Sequence, residues 1–239
     1  MRQISNLVYC DDFIADLRLE TRLAANPYYD YPYLVIENFL SSEACAEIAA
    51  YTREQSEGEQ AMIKKSQQGV VVPELEETIR KTAIHRLPGL LLEGYNLSFA
   101  HYQKRIEDYF CAALTTATEV QALEYTKGGF YIRHADDSSE VVNGDGETVG
   151  FIQVAPARKI TTVLFATSHD SHGGDGTCFG GGELVFNYFS DAEGHPVRIR
   201  PKAGDMVVFP SNPLYSHEVL PVTSGYRLTL VQWHDAIIA

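Results

Sequence analysis

Apolar residues recur at helical spacing in the first half of the chain and at every second position in the last half, with the change near residue 120. Over 13–25, the apolar positions Phe13, Ile14, Leu17 and Leu23 predict an amphipathic helix that stops before Asn26-Pro27. A short strand over 33–37 follows. Ser41 or Ser42 then offers a hydroxyl as N-cap, and Ala44, Cys45, Ile48 and Ala49 form one face of the helix behind it. Phe99, Tyr102, Ile106, Phe110 and Leu114, three and four residues apart, predict another helix over 96–117.

Beyond residue 120, short β-branched runs alternate with Gly, Asn, Asp and Pro. They predict strands over 121–125, 130–135, 159–166, 183–188, 196–200, 205–209, 217–221 and 226–233. So many short strands point to a sandwich or jelly-roll barrel rather than a parallel sheet with crossover helices. The segments 137–157 and 168–182 read as long loops, and structureless loops beyond about 12–15 residues commonly serve as lids or binding loops. The helices are expected to buttress one face of the barrel, and the whole of 1–239 to form a single domain, with 1–118 as helical support and 119–239 as the β core.

Composition agrees with a globular chain: 239 residues, 45% hydrophobic and 21% charged. Thirty-two acidic against nineteen basic side chains give a net charge of −13, which repels a phosphate backbone and argues against a nucleic-acid partner. No basic segment leads into an apolar run with a cleavage site, and no stretch approaches the ~18 apolar residues of a membrane span. The expectation is a soluble cytoplasmic protein with no membrane partner. Cys10, Cys45, Cys111 and Cys178 are far apart and form no CxxC pair, so reduced thiols are expected.

The chemistry is concentrated in a few strand positions. In Phe130-Tyr-Ile-Arg-His-Ala-Asp136, alternation puts His134 and Asp136 on one face, so an imidazole nitrogen and a carboxylate oxygen can converge. His217, in Ser216-His-Glu218 after a Pro- and Asn-rich turn, can add a second imidazole from a neighbouring strand. Two histidines and one carboxylate on one face of a metal leave three positions open, which suits non-haem iron(II) and oxygen. Asp137 points the other way and reads as a loop residue. In Gly225-Tyr-Arg-Leu-Thr-Leu-Val-Gln-Trp233, Arg227, Thr229, Val231 and Trp233 share a face opposite Leu228 and Leu230. An arginine turned into a barrel needs an anion, and its planar fork suits a carboxylate, with the Thr229 hydroxyl beside it.

These residues resemble the iron(II)- and 2-oxoglutarate-dependent dioxygenases, in particular the prolyl 4-hydroxylase-like branch. The resemblance runs from about Tyr33 to Asp235 and is carried by several ordered blocks. They are Tyr33-Leu-Val-Ile-Glu-Asn-Phe-Leu-Ser-Ser-Glu-Ala-Cys45, Ile79-Arg-Lys-Thr82, Glu124-Tyr-Thr-Lys-Gly-Gly-Phe-Tyr-Ile-Arg-His-Ala-Asp136, Lys159-Ile-Thr-Thr-Val-Leu-Phe165, Gly180-Gly-Gly-Glu-Leu-Val-Phe186 and Pro201-Lys-Ala-Gly-Asp-Met-Val-Val-Phe209, followed by His217 and Arg227. The resemblance implies a double-stranded β-helix, mainly β, buttressed by N-terminal helices. It implies Fe(II) held by His134, Asp136 and His217, and 2-oxoglutarate bound through its distal carboxylate by Arg227 with Tyr125 and Thr229. It implies O2 as the other co-substrate, oxidative decarboxylation of 2-oxoglutarate to succinate and carbon dioxide, and hydroxylation of an unactivated C–H bond. Relatives that halogenate lack the carboxylate that Asp136 supplies. Tyr131 and Trp233 would lie near the iron and shape the substrate pocket.

The two long segments depart from the family pattern and suggest an enclosed site for a small molecule such as a free amino acid. The alternatives are a peptidyl, prolyl-type hydroxylase, the same iron site performing desaturation or cyclisation, and a binding module without turnover. Some relatives are homodimers, and the sequence does not decide this. His169 and His172 lie in a Gly-rich loop that reads as a polar lid rather than a second metal site. Gly180-Gly-Gly182 precedes a strand, not a helix, so it is no phosphate loop. His85, His101, His195 and His234 stand alone and read as structural or surface residues.

Overall fold

The period-two stretches become strands whose two faces meet different surroundings. In the computed structural model of the protein, which describes residues 1–17, 31–55, 59–60, 63–67, 70–74, 80–170 and 177–238, two largely antiparallel sheets face each other. The larger runs Leu34–Ile36, Met206–Pro210, Ile160–Phe165, Arg227–Ile238, Gln121–Tyr125, Ala83–His85 and Glu59–Gln60. The smaller runs Arg2–Gln3, Tyr9–Cys10, Leu184–Ser190, His217–Val219, Phe130–His134 and Arg80–Lys81. Neighbours within each sheet come from distant parts of the chain, the arrangement of a double-stranded β-helix.

Alternation sorts the larger sheet into two cores. Leu123, Tyr125, Val163, Phe165, Val207, Phe209, Val231 and Trp233 point inward against Leu184, Phe186 and Val219 of the smaller sheet. The residues between them, including Ala122, Leu164, Met206, Val208, Leu228 and Leu230, point outward against the helices. The helix Ser42–Glu54 starts where the Ser41 hydroxyl accepts the Ala44 N–H at 3.2 Å, and it buries Cys45, Ile48, Ala49 and Thr52. The helix Gly89–Phe110 lays Tyr95, Ile106, Tyr109 and Phe110 on the same core.

Three expectations need correction. The helix expected over 96–117 is Gly89–Phe110, ended by the left-handed backbone of Cys111 at φ 49°. Ala112–Ala117 is instead a strand paired with the far half of Arg227–Ile238, which is why that strand runs past Trp233. The segment 137–157 is no open loop: Ser138–Val142 and Thr148–Gln153 form a hairpin. Within 168–182, Ser168–His169 pairs in parallel with Cys178–Gly181, and residues 171–176 lie outside the described set. Of the helix expected over 13–25, Asp12–Ala15 is helical, and the part from residue 18 to 25 lies outside the described residues. All four cysteines are free. Among the described residues no helix is long and apolar enough to cross a membrane.

Candidate metal centre and its cavity

His134 and His217 sit directly opposite each other where Phe130–His134 pairs with His217–Val219, their ring centroids 4.4 Å apart. Asp136 follows just past the strand end. One ligand atom from each of the three lies within 4.8 Å of the other two. Each imidazole is fixed from behind. His134 Nδ1 donates to the Ile132 carbonyl at 2.9 Å and His217 Nδ1 to the Tyr215 carbonyl at 3.0 Å. A carbonyl only accepts, so Nδ1 carries a proton in each ring, which leaves Nε2 as the nitrogen that can serve a metal.

The carboxylate is held in the same manner. Asp136 Oδ2 accepts the Thr161 hydroxyl at 2.7 Å, and Thr161 in turn lies 2.8 Å from the Ser211 hydroxyl. Burial works to raise the Asp136 pKa, but His217, His134, the Thr161 hydroxyl and Arg158 outweigh it and keep the carboxyl below its ordinary value. Burial and the neighbouring His217 hold the His134 imidazole down at about 3. Two imidazoles and one carboxylate, each oriented by a further hydrogen bond, fit a divalent iron site. The buried Asp137 accepts from Ser138 and Gln153 and forms no part of the group.

Arg227 lies deeper in the same cavity, 1% exposed. Its Nε donates to the Gly182 carbonyl at 2.8 Å, and Nη1 reaches the Thr229 hydroxyl at 3.5 Å. Its guanidinium carbon sits 4.7 Å from the centroid of Tyr125, its cross-strand partner, and 5.3 Å from that of Phe165. Gly182 has φ +62°, and a Cβ there would come 3.0 Å from the Arg227 side chain, so the close approach needs glycine. Among the described residues no acidic side chain pairs with Arg227. Burial lowers its pKa to about 10, so it is still a cation near neutrality. A buried cation with donors to spare fits the distal carboxylate of a 2-oxo diacid.

The cavity of about 400 Å³ holds all eight residues singled out in the sequence: His134, Asp136, His217, Arg227, Tyr125, Thr229, Tyr131 and Trp233. Tyr131 stacks on His134 with centroids 3.6 Å apart. Trp233 is the cross-strand partner of Thr161. The sequence reading missed Thr161 and Ser211 behind Asp136, and Arg80, Arg133, Arg158 and Glu140 in the cavity wall. Thr161 was open to detection, because alternation puts it on the inward face of its strand with Val163.

The remaining histidines serve elsewhere. His85 bonds Glu124, His234 stacks on Phe99 at 4.7 Å, His101 lies edge-on to Tyr102, and His169 Nε2 lies 3.4 Å from a Glu183 carboxylate oxygen without hydrogen-bond geometry. His172 lies outside the described residues. His195 shares an exposed turn with Asp191 and Glu193.

Residues 120–235 match the family model described as the 2OG-Fe(II) oxygenase superfamily. A PKHD-type hydroxylase of Stutzerimonas stutzeri (strain A1501) is 32% identical over 114 residues, 48% of this chain and 42% of that protein. The match therefore spans about two fifths of the curated relative's length. A prolyl-4-hydroxylase of Pseudomonas putida superposes with TM-score 0.59 at 24% identity over 85% of this chain and 91% of its own. A Trichoplax adhaerens prolyl hydroxylase, in complex with a hypoxia inducible factor peptide fragment, gives 0.60 at 18% identity over 85% and 83%. The viral collagen prolyl hydroxylase of Paramecium Bursaria Chlorella virus-1 gives 0.55 at 17% over 86% and 96%. At these identities the three structures share the fold.

Proposed function

We propose, from the premise that residues 120–235 of this chain belong to the 2OG-Fe(II) oxygenase superfamily, that the protein is an Fe(II)- and 2-oxoglutarate-dependent dioxygenase hydroxylating an unactivated C–H bond of a small metabolite. The observation that carries this reading is that the His134–Asp136–His217 group and Arg227, which has no acidic partner among the described residues, line one cavity. Bound Fe(II), with O2, would supply the oxidative decarboxylation of 2-oxoglutarate to succinate and carbon dioxide, one oxygen atom passing to the substrate as hydroxyl. His134, Asp136 and His217 would hold the metal on one face. Arg227, aided by Tyr125 and Thr229, would take the distal carboxylate. Thr161 and Ser211 keep Asp136 oriented, and Tyr131 and Trp233 would shape the space for the substrate. The inward aromatic and aliphatic side chains exclude water.

A small substrate is favoured by volume. About 400 Å³ lies at the lower end of the ~300–1,000 Å³ usual for ligand pockets and must also receive the co-substrate. The chain is read as one unit, because strands from the first 118 residues enter both sheets. The test is anaerobic binding of 2-oxoglutarate to the Fe(II)-loaded protein, then succinate release in air during a screen of amino acids, small metabolites and proline-containing peptides. The expected product gains the mass of one oxygen atom. A protein that binds no 2-oxoglutarate when loaded, or a His134→Ala variant with full turnover, defeats the reading. Loss of two hydrogens from the substrate indicates desaturation or cyclisation, and stimulation by peptides alone indicates the peptidyl alternative.

A further inference from the structure

The chain carries a net charge of −13, yet arginine dominates the charged lining of the cavity. Arg80, Arg133, Arg158 and Arg227 face two carboxylates there, Asp136 and Glu140. Glu140 already has a cation of its own: its Oε1 pairs with Arg133 at 2.7 Å and accepts from Thr148 at 2.9 Å and Tyr188 at 3.2 Å. The proposed function assigns Asp136 to the metal and Arg227 to the co-substrate. A divalent ion and a dianion cancel, so an excess of positive charge remains at Arg80 and Arg158.

These two arginines flank the metal ligands from two sides. Arg80 lies 4.6 Å from the centroid of Tyr131, which stacks on His134. Arg158 lies 3.9 Å from the centroid of Trp233 and donates Nη1 to the backbone carbonyl of Asp136 at 3.1 Å. Stacking uses the flat face of a guanidinium and leaves its N–H edge for an acceptor in plane. Among the described residues neither arginine has an acidic partner. Arg80 Nε and Trp233 Nε1 are moreover buried donors without an acceptor. Were these arginines only packing on the rings, such buried donors would be a cost with no return. Beside Tyr131 and Trp233 the wall thus presents an excess of positively charged donors, which selects an anion.

We propose that Arg80 and Arg158 form an anion anchor for the primary substrate, so that the enzyme takes a small carboxylic acid, such as a free α-amino acid, by its carboxylate. This rests on the oxygenase reading of the same site. The C–H bond to be oxidised then lies between Tyr131 and Trp233, beside the ligand group.

The test uses the full chain loaded with Fe(II), with free L-amino acids and their primary carboxamides as paired probes. Anaerobic binding and aerobic succinate formation are both measured. The expected result is a preference for at least one acid over its amide of about ten- to a hundredfold, the worth of a hydrogen bond to a charged group. In Arg80→Gln and Arg158→Gln the acid-to-amide ratio falls toward one, through KM more than kcat, and lysine at either position restores part of it. The ratio is internal to each protein, so partial misfolding or incomplete loading does not mimic the effect. The oxygenase reading fails separately, by absence of 2-oxoglutarate binding. If 2-oxoglutarate binds, the anchor is overturned by amides matching acids, by a ratio unchanged in both variants, by no acid binding, or by a preference for end-blocked peptides.

Discussion

On the helix side of the larger sheet, Leu164, Met206, Leu228 and Leu230 are completely buried against Ile48, Tyr95 and Ile106. On the cavity side the same strands present Thr161, Arg227, Thr229 and Trp233. One hydrogen-bond ladder supports both faces, so the backbone does not distinguish them. The helix side removes apolar surface from water and is a source of stability. The cavity side buries a cation that has no acidic partner among the described residues and leaves donors unmet, which lowers stability until a ligand arrives. Site residues held at such a cost mark where binding energy is to be gained.

The comparison is broken most severely at the ligand group. His217→Ala is expected to take iron-dependent turnover below detection while leaving the thermal midpoint of the metal-free protein within a few degrees of wild type. A variant that keeps turnover removes His217 from the site. Arg227→Met should weaken 2-oxoglutarate binding by about 2–5 kcal/mol, at least about thirtyfold, the cost of truncating one partner of a buried charged pair. The same change should leave the ligand-free protein as stable or more stable, since it removes an uncompensated buried charge.

The sign with pH follows from the same residue. A folded-state pKa of about 10, below the ordinary 12.5, means that the unfolded chain holds the proton more tightly. The Arg227 penalty is therefore complete below about pH 10 and shrinks as pH rises toward the unfolded value. Denaturant midpoints of the wild type and the Arg227→Met variant, compared at neutral pH, measure it. A strongly destabilised variant contradicts the idea that this cation is unpaired.

On the opposite face, Leu230→Ala should cost about 2–5 kcal/mol of stability, as buried leucines commonly do, with iron and 2-oxoglutarate affinities unchanged in the folded fraction. A shift in those affinities would show that the two faces are coupled. Thr161→Val is the mildest change. It removes the hydroxyl that holds Asp136 and should weaken iron binding by about tenfold to a hundredfold, read by metal titration.

Much of this division is written in local pattern. Alternation over 226–233 already separates Arg227, Thr229, Val231 and Trp233 from Leu228 and Leu230, and the two cores divide them in the same way. The hairpin in 137–157 was also present as a signal, since Asn143-Gly-Asp-Gly146 lies between β-branched pairs. The length of the segment obscured it. In the turn, the Asn143 side chain accepts the N–H groups of Asp145 and Glu147, and Gly146 takes φ +81°. The start of the long helix was hidden for a different reason: Leu90 and Leu97 are 82% and 67% exposed, so its first turns carry no clean apolar stripe. Its end depended on Cys111 adopting a left-handed conformation that few side chains favour.

The amino-acid sequence by itself determined the strand faces, the candidate ligand residues His134, Asp136 and His217, and the inward arginine at 227. Each of these depends on residue type and near-neighbour spacing, which a linear chain displays directly. Only the tertiary structure decided that His134 and His217 are cross-strand partners, that Thr161 and Ser211 stand behind Asp136, and that Arg133 has a carboxylate partner while Arg80 and Arg158 have none among the described residues. The charge state of a wall is a sum over groups brought together through space. Arg80 and Arg158 lie 78 positions apart in the chain, and no local pattern reveals that they border one cavity.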